Sequence, residues 1–242
     1  MSLYLAIETA TGVGSVAVGE PGAAASEIVF GDRRHAAALL PAIGETLRLA
    51  AMDYTDLAGI VVADGPGSFT GLRIGFATAK GILRCHDTLV LRTAPSLLAA
   101  AWSTRAFVRG PVAALYDALR GEVFAAVYDV VGDSVRTLVE PLCCSVSELI
   151  RRCSTPPAIA VGDGALASAE EVQRWTGRPP IGPPAGAPRA SALIELLAVG
   201  NGTQPIEDPE RFEPVYGRPA AAQARWEQEH GRALPHSGSG RR

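Results

Sequence analysis

Only one lysine, Lys80, stands among the 22 basic side chains of this 242-residue chain, so its positive charge is almost wholly arginine. Those 22 face 25 Asp and Glu, for a net charge of -3. The basic excess that lets a domain grip nucleic acid unaided is missing. Histidine is equally scarce: His35, His86, His230 and His236 are scattered without the spacing of metal ligands. The four cysteines, Cys85, Cys143, Cys144 and Cys153, form no C-x-x-C pair. Adjacent Cys143 and Cys144 would point to opposite faces of a strand, which disfavours a shared metal or a mutual disulfide and leaves reduced core thiols as the simplest reading. No apolar run is long enough to span a bilayer. The opening Met1–Glu8 has no basic segment and soon meets an acid, so neither signal peptide nor membrane anchor is expected, and a cytoplasmic location is.

What is present is an ordinary globular composition, 48% hydrophobic and 19% charged, in a chain long enough for one large domain or two modest ones. Its centre is residues 60–84. Ile60 to Ala63 is a β-branched apolar run without alternation, the pattern of a strand buried on both faces. Asp64-Gly65-Pro66-Gly67 stops it, and Ser68 and Thr70 are placed to cap the helix that follows. On that helix Gly71, Gly75 and Ala79 recur every four residues, a smooth groove that another helix could approach closely. The turn is not a P-loop, because Leu72 and Arg73 follow Gly71 where a lysine and a hydroxyl are needed. Nor is it a dinucleotide fingerprint, because Thr70 stands where its third glycine belongs. A tight turn and close helix packing is the more economical reading, with weak anion binding at the helix N-terminus as the alternative.

In chain order the pattern predicts strands at 3–7, 15–18 and 25–30, then a helix over 34–51 carrying the apolar stripe Ala36, Leu40, Ile43, Leu47 and Ala50, with Pro41 inside it. Leu39, Ala42 and Leu49 widen that stripe. The central strand and helix follow, then a strand at 88–91 and a helix at 95–102. The grammar restarts with strands at 112–116, 123–129 and 135–139, a helix at 145–153, a strand at 158–161 and a helix at 165–175. A Pro/Gly-rich loop at 177–188 leads to a last helix at 190–199. Beyond residue 201 no helical or strand period is expected until a short polar stretch at 220–230, and 231–242 reads as a disordered tail.

This is an α/β chain with an internal duplication, the plan of the actin-like ATPase superfamily, in which two RNase H-like lobes each hold a mixed β-sheet flanked by helices. The expected boundaries are 1–107 for the first lobe, 108–186 for a smaller second lobe and 187–230 for a C-terminal helix and return segment. Fold alone leaves function open.

Several motifs permit a family comparison: Leu5-Ala-Ile-Glu-Thr-Ala-Thr11; His35-x3-Leu39-Leu40-Pro41; Gly65-Pro-Gly-Ser-Phe-Thr-Gly-Leu-Arg-Ile-Gly75; Asp117-Ala-Leu-Arg-Gly-Glu-Val-Phe124; Gly162-Asp-Gly-Ala165; Glu213-Pro-Val-Tyr216. Together, from residue 3 to about residue 220, they resemble the TsaB (YeaZ) family. The resemblance implies a non-catalytic subunit of the machinery that forms N6-threonylcarbamoyladenosine at position 37 of ANN-decoding tRNAs. It implies a TsaD-like catalytic partner, a TsaE-like ATPase as third component, and ATP and threonylcarbamoyl-adenylate handled by those partners, with no cofactor held by this chain. It leaves room for a homodimer when the chain is alone, and for tRNA contact through the complex. TsaD-like relatives carry two metal-binding histidines four apart, in a region that reads Thr93-Ala-Pro-Ser-Leu-Leu-Ala-Ala-Ala101 in this chain. The expected partner interface is Ala36, Leu40, Ile43 and Leu47 on one helix and Gly71, Arg73, Gly75 and Ala79 on the other.

Other residues have plainer readings beside their sharper ones. Asp117 and Glu122 bracket a turn in which Gly121 supplies a positive φ. His35, at a helix start, reads as a capping or surface residue, and Arg73 as solvated or ion-paired at an interface. Glu8 stands where this superfamily usually has an aspartate holding a magnesium-bound water, one methylene too long. The alternative function is an ATP-dependent phosphotransferase or ATPase of the same superfamily, using the Thr9–Gly14 hairpin and the Gly162–Gly164 turn as phosphate loops.

Overall fold

A computed structural model describes residues 2–31, 35–132 and 134–217. The first sheet is built from β1 (Leu3–Glu8), β2 (Gly14–Glu20), β3 (Ala23–Phe30), β4 (Leu57–Ala63), β5 (Val90–Ala94) and β10 (Gln204–Ile206), in the order β10-β5-β4-β1-β2-β3. β1, β4 and β5 run parallel, while β2, β3 and β10 are antiparallel to their neighbours. The second sheet, β8-β7-β6-β9, repeats the meander plus one parallel strand with β6 (Val112–Asp117), β7 (Val123–Val131), β8 (Ser134–Cys144) and β9 (Ile159–Val161). Ile181 makes a lone parallel bridge to Val161, in the place that β5 takes in the first sheet.

Among the described residues seven α-helices clothe the sheets: α1 (His35–Leu49), α2 (Phe69–Cys85), α3 (Ser96–Trp102), α4 (Val146–Arg152), α5 (Asp163–Ala167), α6 (Ala169–Thr176) and α7 (Ala190–Leu196). The strand alternation distributes them. Leu5, Ile7, Ile60 and Val62 project to one side of the first sheet, where Leu39, Ile43 and Leu47 of α1 and Phe76 and Ala79 of α2 cover them. Ala6, Ala17, Val61 and Ala63 project to the other side, into a core shared with α3, α7 and the Ala114, Tyr116, Phe124, Ala126 and Tyr128 face of the second sheet. The small alanines let α3 and α7 lie between the sheets. A third cluster joins Leu115, Val123, Ala125 and Val127 to Leu149 of α4 and Val172 of α6.

The elements follow the periodicity, with instructive departures. The helix expected over 165–175 is two helices, broken at Ser168 with φ -118 and ψ 34. β5 starts at Val90 rather than at residue 88. β10 carries no period because it is three residues long, with Pro205 tolerated on an edge strand. The last helix is shorter than expected and packs on β1, β2 and β3 of the first sheet as well as on α3. Its N-terminus is fastened by Glu27, which accepts from Arg189 Nη2 at 2.6 Å, Ser191 Oγ at 3.0 Å and Ser191 N at 3.1 Å. Position 34, the polar stretch at 220–230 and the tail lie outside the described residues. Among the described residues no helix is long and apolar enough to cross a membrane.

Candidate functional site

Two features could carry function: the cleft between the lobes and the outer face of α1 and α2. The cleft has a volume of about 680 Å³ and is walled by Ala10, Thr11, Ser68 and Thr70 from the first lobe, Asp117 and Asp163 from the second, and the rings of Phe69, Phe124 and Tyr216. In an actin-like ATPase the acid ending β1 faces such a cleft. Here Glu8 is 0% exposed and turned inward. Its Oε1 accepts from Ala10 N at 2.6 Å and its Oε2 from Ser96 Oγ at 3.0 Å. Tyr116 of β6 donates to Ser96 O at 2.7 Å, so the chain of bonds crosses from one lobe to the other. Burial pushes the Glu8 carboxyl up to about 7 against the bonds from Ala10 and Ser96, with nearby Asp64 adding repulsion. Burial likewise raises Asp64 to about 7, opposed by a bond from Thr93.

Of the residues considered as phosphate loops, Gly12 stays open at the cleft, while the hydroxyls and the glycines of the second turn are engaged internally. Thr9 donates to Gly71 O at 2.9 Å and Thr11 to Val13 O at 2.9 Å. A Cβ on Gly162 would run into Leu115 O, and one on Gly164 into the Tyr116–Asp117 backbone, so these glycines let α5 close on β6. Asp163 Oδ1 accepts from Asp117 N at 3.0 Å and Gly164 N at 2.9 Å. Among the described residues no group of three His, Cys, Asp or Glu could hold a metal ion.

The turn after β6 differs from its expectation. Gly121 has φ 78, as predicted, but Leu119 at φ 64 and Arg120 at φ 59 share the left-handed conformation. Asp117 Oδ1 holds that turn through Leu119 N at 2.7 Å. His35 is also corrected: rather than lying at the surface it is 5% exposed, its Nε2 lies 2.7 Å from Thr11 O, and its ring meets Phe30 edge-on. Nothing in its helix-start position revealed this, because its partner is 24 residues away.

The expected interface splits. α2 presents three stripes at four-residue spacing. Gly71, Gly75 and Ala79 face the sheet: they are buried, and a Cβ on Gly71 would run into Thr9 O. That groove is filled by the chain itself, so these three positions are corrected from partner contacts to packing. Ile43 and Leu47 are corrected likewise, being 0% and 3% exposed against the sheet. The buried stripe of α1 runs through Leu39, Ala42, Ile43, Thr46 and Leu47, one position away from Ala36 and Leu40. Those two remain exposed, Leu40 at 59%. Arg73 is exposed, as its solvated reading expects, with its guanidinium 4.0 Å from the Phe69 ring centre and its Nε donating to Tyr216 Oη at 3.2 Å.

The second stripe of α2, Ala77, Gly81 and Cys85, is exposed. With Leu40, Tyr54, Thr78, Ile82 and His86 it lines an open, mostly apolar groove of about 470 Å³. A Cβ at Gly81 would meet nothing within 4 Å. Sequence reasoning expected the open stripe at Gly71, Gly75 and Ala79, and the fold leaves Ala77, Gly81 and Cys85 exposed instead.

Two duplicated lobes with mixed sheets, meeting at a cleft, define the chain as an actin-like ATPase-fold protein. The family model described as "TsaD: tRNA N6-adenosine threonylcarbamoyltransferase" matches residues 30–203. The chain belongs to that family, on the side of it that holds the TsaB (YeaZ) proteins. It is similar to the "tRNA threonylcarbamoyladenosine biosynthesis protein TsaB" of Escherichia coli, with 33% identity over 51% of this chain and 54% of that one, and so spans about half the length of that relative. It is similar to the protein of the same name from Haemophilus influenzae, with 26% identity over 88% of this chain and 92% of that one. The solved structure of "YeaZ from Pseudomonas aeruginosa" superimposes with a TM-score of 0.73 at 26% identity, covering 89% of this chain and all of that one.

Proposed function

We propose that this chain is a non-catalytic subunit in the formation of N6-threonylcarbamoyladenosine in tRNA, and that it docks a TsaD-like catalytic paralogue through the exposed face of α1 and α2. The observation that carries the reading is the open groove itself: Leu40 on α1 and Ala77 and Gly81 on α2 leave an apolar, small-residue floor that nothing among the described residues fills. A TsaD-like paralogue would present the equivalent two helices, so the pair could meet nearly symmetrically as a four-helix contact. The non-catalytic part rests on Glu8, whose inward carboxylate is spent on Ala10 and Ser96 rather than offered to a metal or a phosphate. ATP, threonylcarbamoyl-adenylate and the TsaE-like ATPase belong, in this reading, to the partner side of the assembly. Homodimerisation through the same groove would cover it when the partner is absent.

The test is capture from the native host by tagged wild-type chain and by Gly81→Leu. Wild type should bring down a stoichiometric larger paralogue with two histidines four residues apart. Gly81→Leu should melt normally, because the site is open, yet lose the paralogue by blocking close helix approach. Equal capture by both would sink the assignment of the groove, and no paralogue with wild type would sink the function. Purified chain should also fail to hydrolyse ATP, and turnover abolished by Glu8→Ala would promote the ATPase alternative.

A further inference from the structure

The third stripe of α2 is covered by the chain's own C-terminal return. Phe69, Arg73, Phe76, Lys80 and Arg84 follow one another at spacings of four, three, four and four, and each touches a residue of the segment 207–217. Lys80 Nζ donates to Glu210 O and to Phe212 O, both at 3.0 Å. Arg84 forms a two-pronged pair with the Glu210 carboxylate at 2.9 Å and 2.9 Å. The Phe76 and Phe212 rings stack 5.3 Å apart, and Tyr216 closes on Phe69 and Arg73. Further along, Val215 N donates to Asp64 O at 2.7 Å, and Gly217 lies against Pro66 and Phe124 of the second lobe. The segment has no helix or strand of its own, so these contacts are what hold it.

With about 100° of turn per residue, the Ala77–Gly81 stripe lies between this covered stripe and the side packed toward α1. The groove itself is lined by Leu40 of α1, by Tyr54, and by α2 with His86, and the return segment borders it across the next stripe of α2. We infer that residues 207–217 are a strap that extends the docking surface beside the groove, with Lys80 as the positioning residue that pins it. The inference rests on the docking reading above and adds to it a flank beside the groove and the residue that keeps that flank in place. A lysine suits the role because its compact ammonium can reach two backbone carbonyls on successive turns of an irregular segment, and carbonyl bonding makes the pin indifferent to the strap's side chains at those positions.

The test uses full-length chain carrying Lys80→Met, which keeps the apolar stem and removes the donors, with Lys80→Arg as the conservative variant. Hydrogen exchange on the free chain should show amides of 207–217 at least tenfold faster in Lys80→Met, with β1 and β4 unchanged, and partial recovery in Lys80→Arg. Dissociation constants for the TsaD-type subunit of the same organism should rise about tenfold in Lys80→Met and recover in parallel. An unaltered strap in Lys80→Met overturns the pin. A freed strap with unaltered affinity overturns its part in docking while leaving the docking reading intact. Failure of wild type to bind that subunit at all overturns the docking reading and the flank's part in it together, whereas the exchange experiment still decides the pin.

Discussion

Thr9 and Gly75 lie so close that a Cβ on the glycine would sit 2.5 Å from the threonine Oγ1, the same hydroxyl that donates to Gly71 O at 2.9 Å. The contact seats α2 on the end of β1. Gly75→Leu should therefore damage the fold, by at least the ~1–3 kcal/mol typical of overpacking and more for the lost hydroxyl bond. Gly75→Ala should cost less than Gly75→Leu. Chemical denaturation of the two variants checks the order, and a Gly75→Leu melt equal to wild type would contradict it.

Gly81 offers the contrast on the same helix. Gly81→Ala should stabilise the chain by up to about 1 kcal/mol, since an exposed helical glycine loses backbone entropy that alanine does not. A thermal melt is sufficient. Destabilisation would mean that this stripe is not open in solution.

Stability should fall as pH rises through the titration of Glu8. Its carboxyl moves from 4.5 when unfolded to about 7 when folded, so between those values the native state holds the extra proton. The protonated form's advantage is complete below about 4.5 and is lost as pH climbs through 7, a swing of at most about 3 kcal/mol by linkage. Asp64 contributes in the same direction over a similar window. Denaturant midpoints across pH 4.5–8 should slope downward, and Glu8→Gln should flatten the slope. An unchanged slope in Glu8→Gln would assign the effect elsewhere.

Glu27 accepts four bonds from Arg189 and Ser191 and so ties α7 to the outer strand of the first sheet. Glu27→Ala leaves a half-buried guanidinium unpaired and should cost roughly 2–4 kcal/mol, below the upper range for fully buried pairs because Arg189 keeps some solvent. Glu27→Gln should cost less. Similar melts for Glu27→Ala and wild type would show that α7 is held by packing alone.

Tight tRNA binding by the free chain is not expected, because a net charge of -3 leaves little counterion release to drive it. Fluorescence anisotropy at about 150 mM salt should give only weak association that weakens further with salt. Sub-micromolar affinity would show that arginines converge on one face despite the overall balance.

Periodicity alone made the lobes legible. Ile60 to Ala63 could be read as a strand covered on both sides, and Val61 and Ala63 do face one core while Ile60 and Val62 face the other. The duplication was visible because each lobe repeats the same run of short-range patterns, and the motif set carried the family. The absent lysine after Gly71 was enough to set aside a P-loop.

Tertiary structure alone decided which way α2 turns. Its sequence holds small residues at 71, 75 and 79 and again at 77 and 81, and a four-residue period cannot say which stripe meets the sheet. Thr9 decides, from more than sixty positions away, by filling the first stripe. The same holds for the inward turn of Glu8 onto Ser96 and Tyr116, for the burial of His35 under Thr11, and for the strap that Lys80 pins across 130 residues. Each joins segments that no local pattern connects, since helix and strand periods report which residues share a face and only packing selects the neighbour that face will meet.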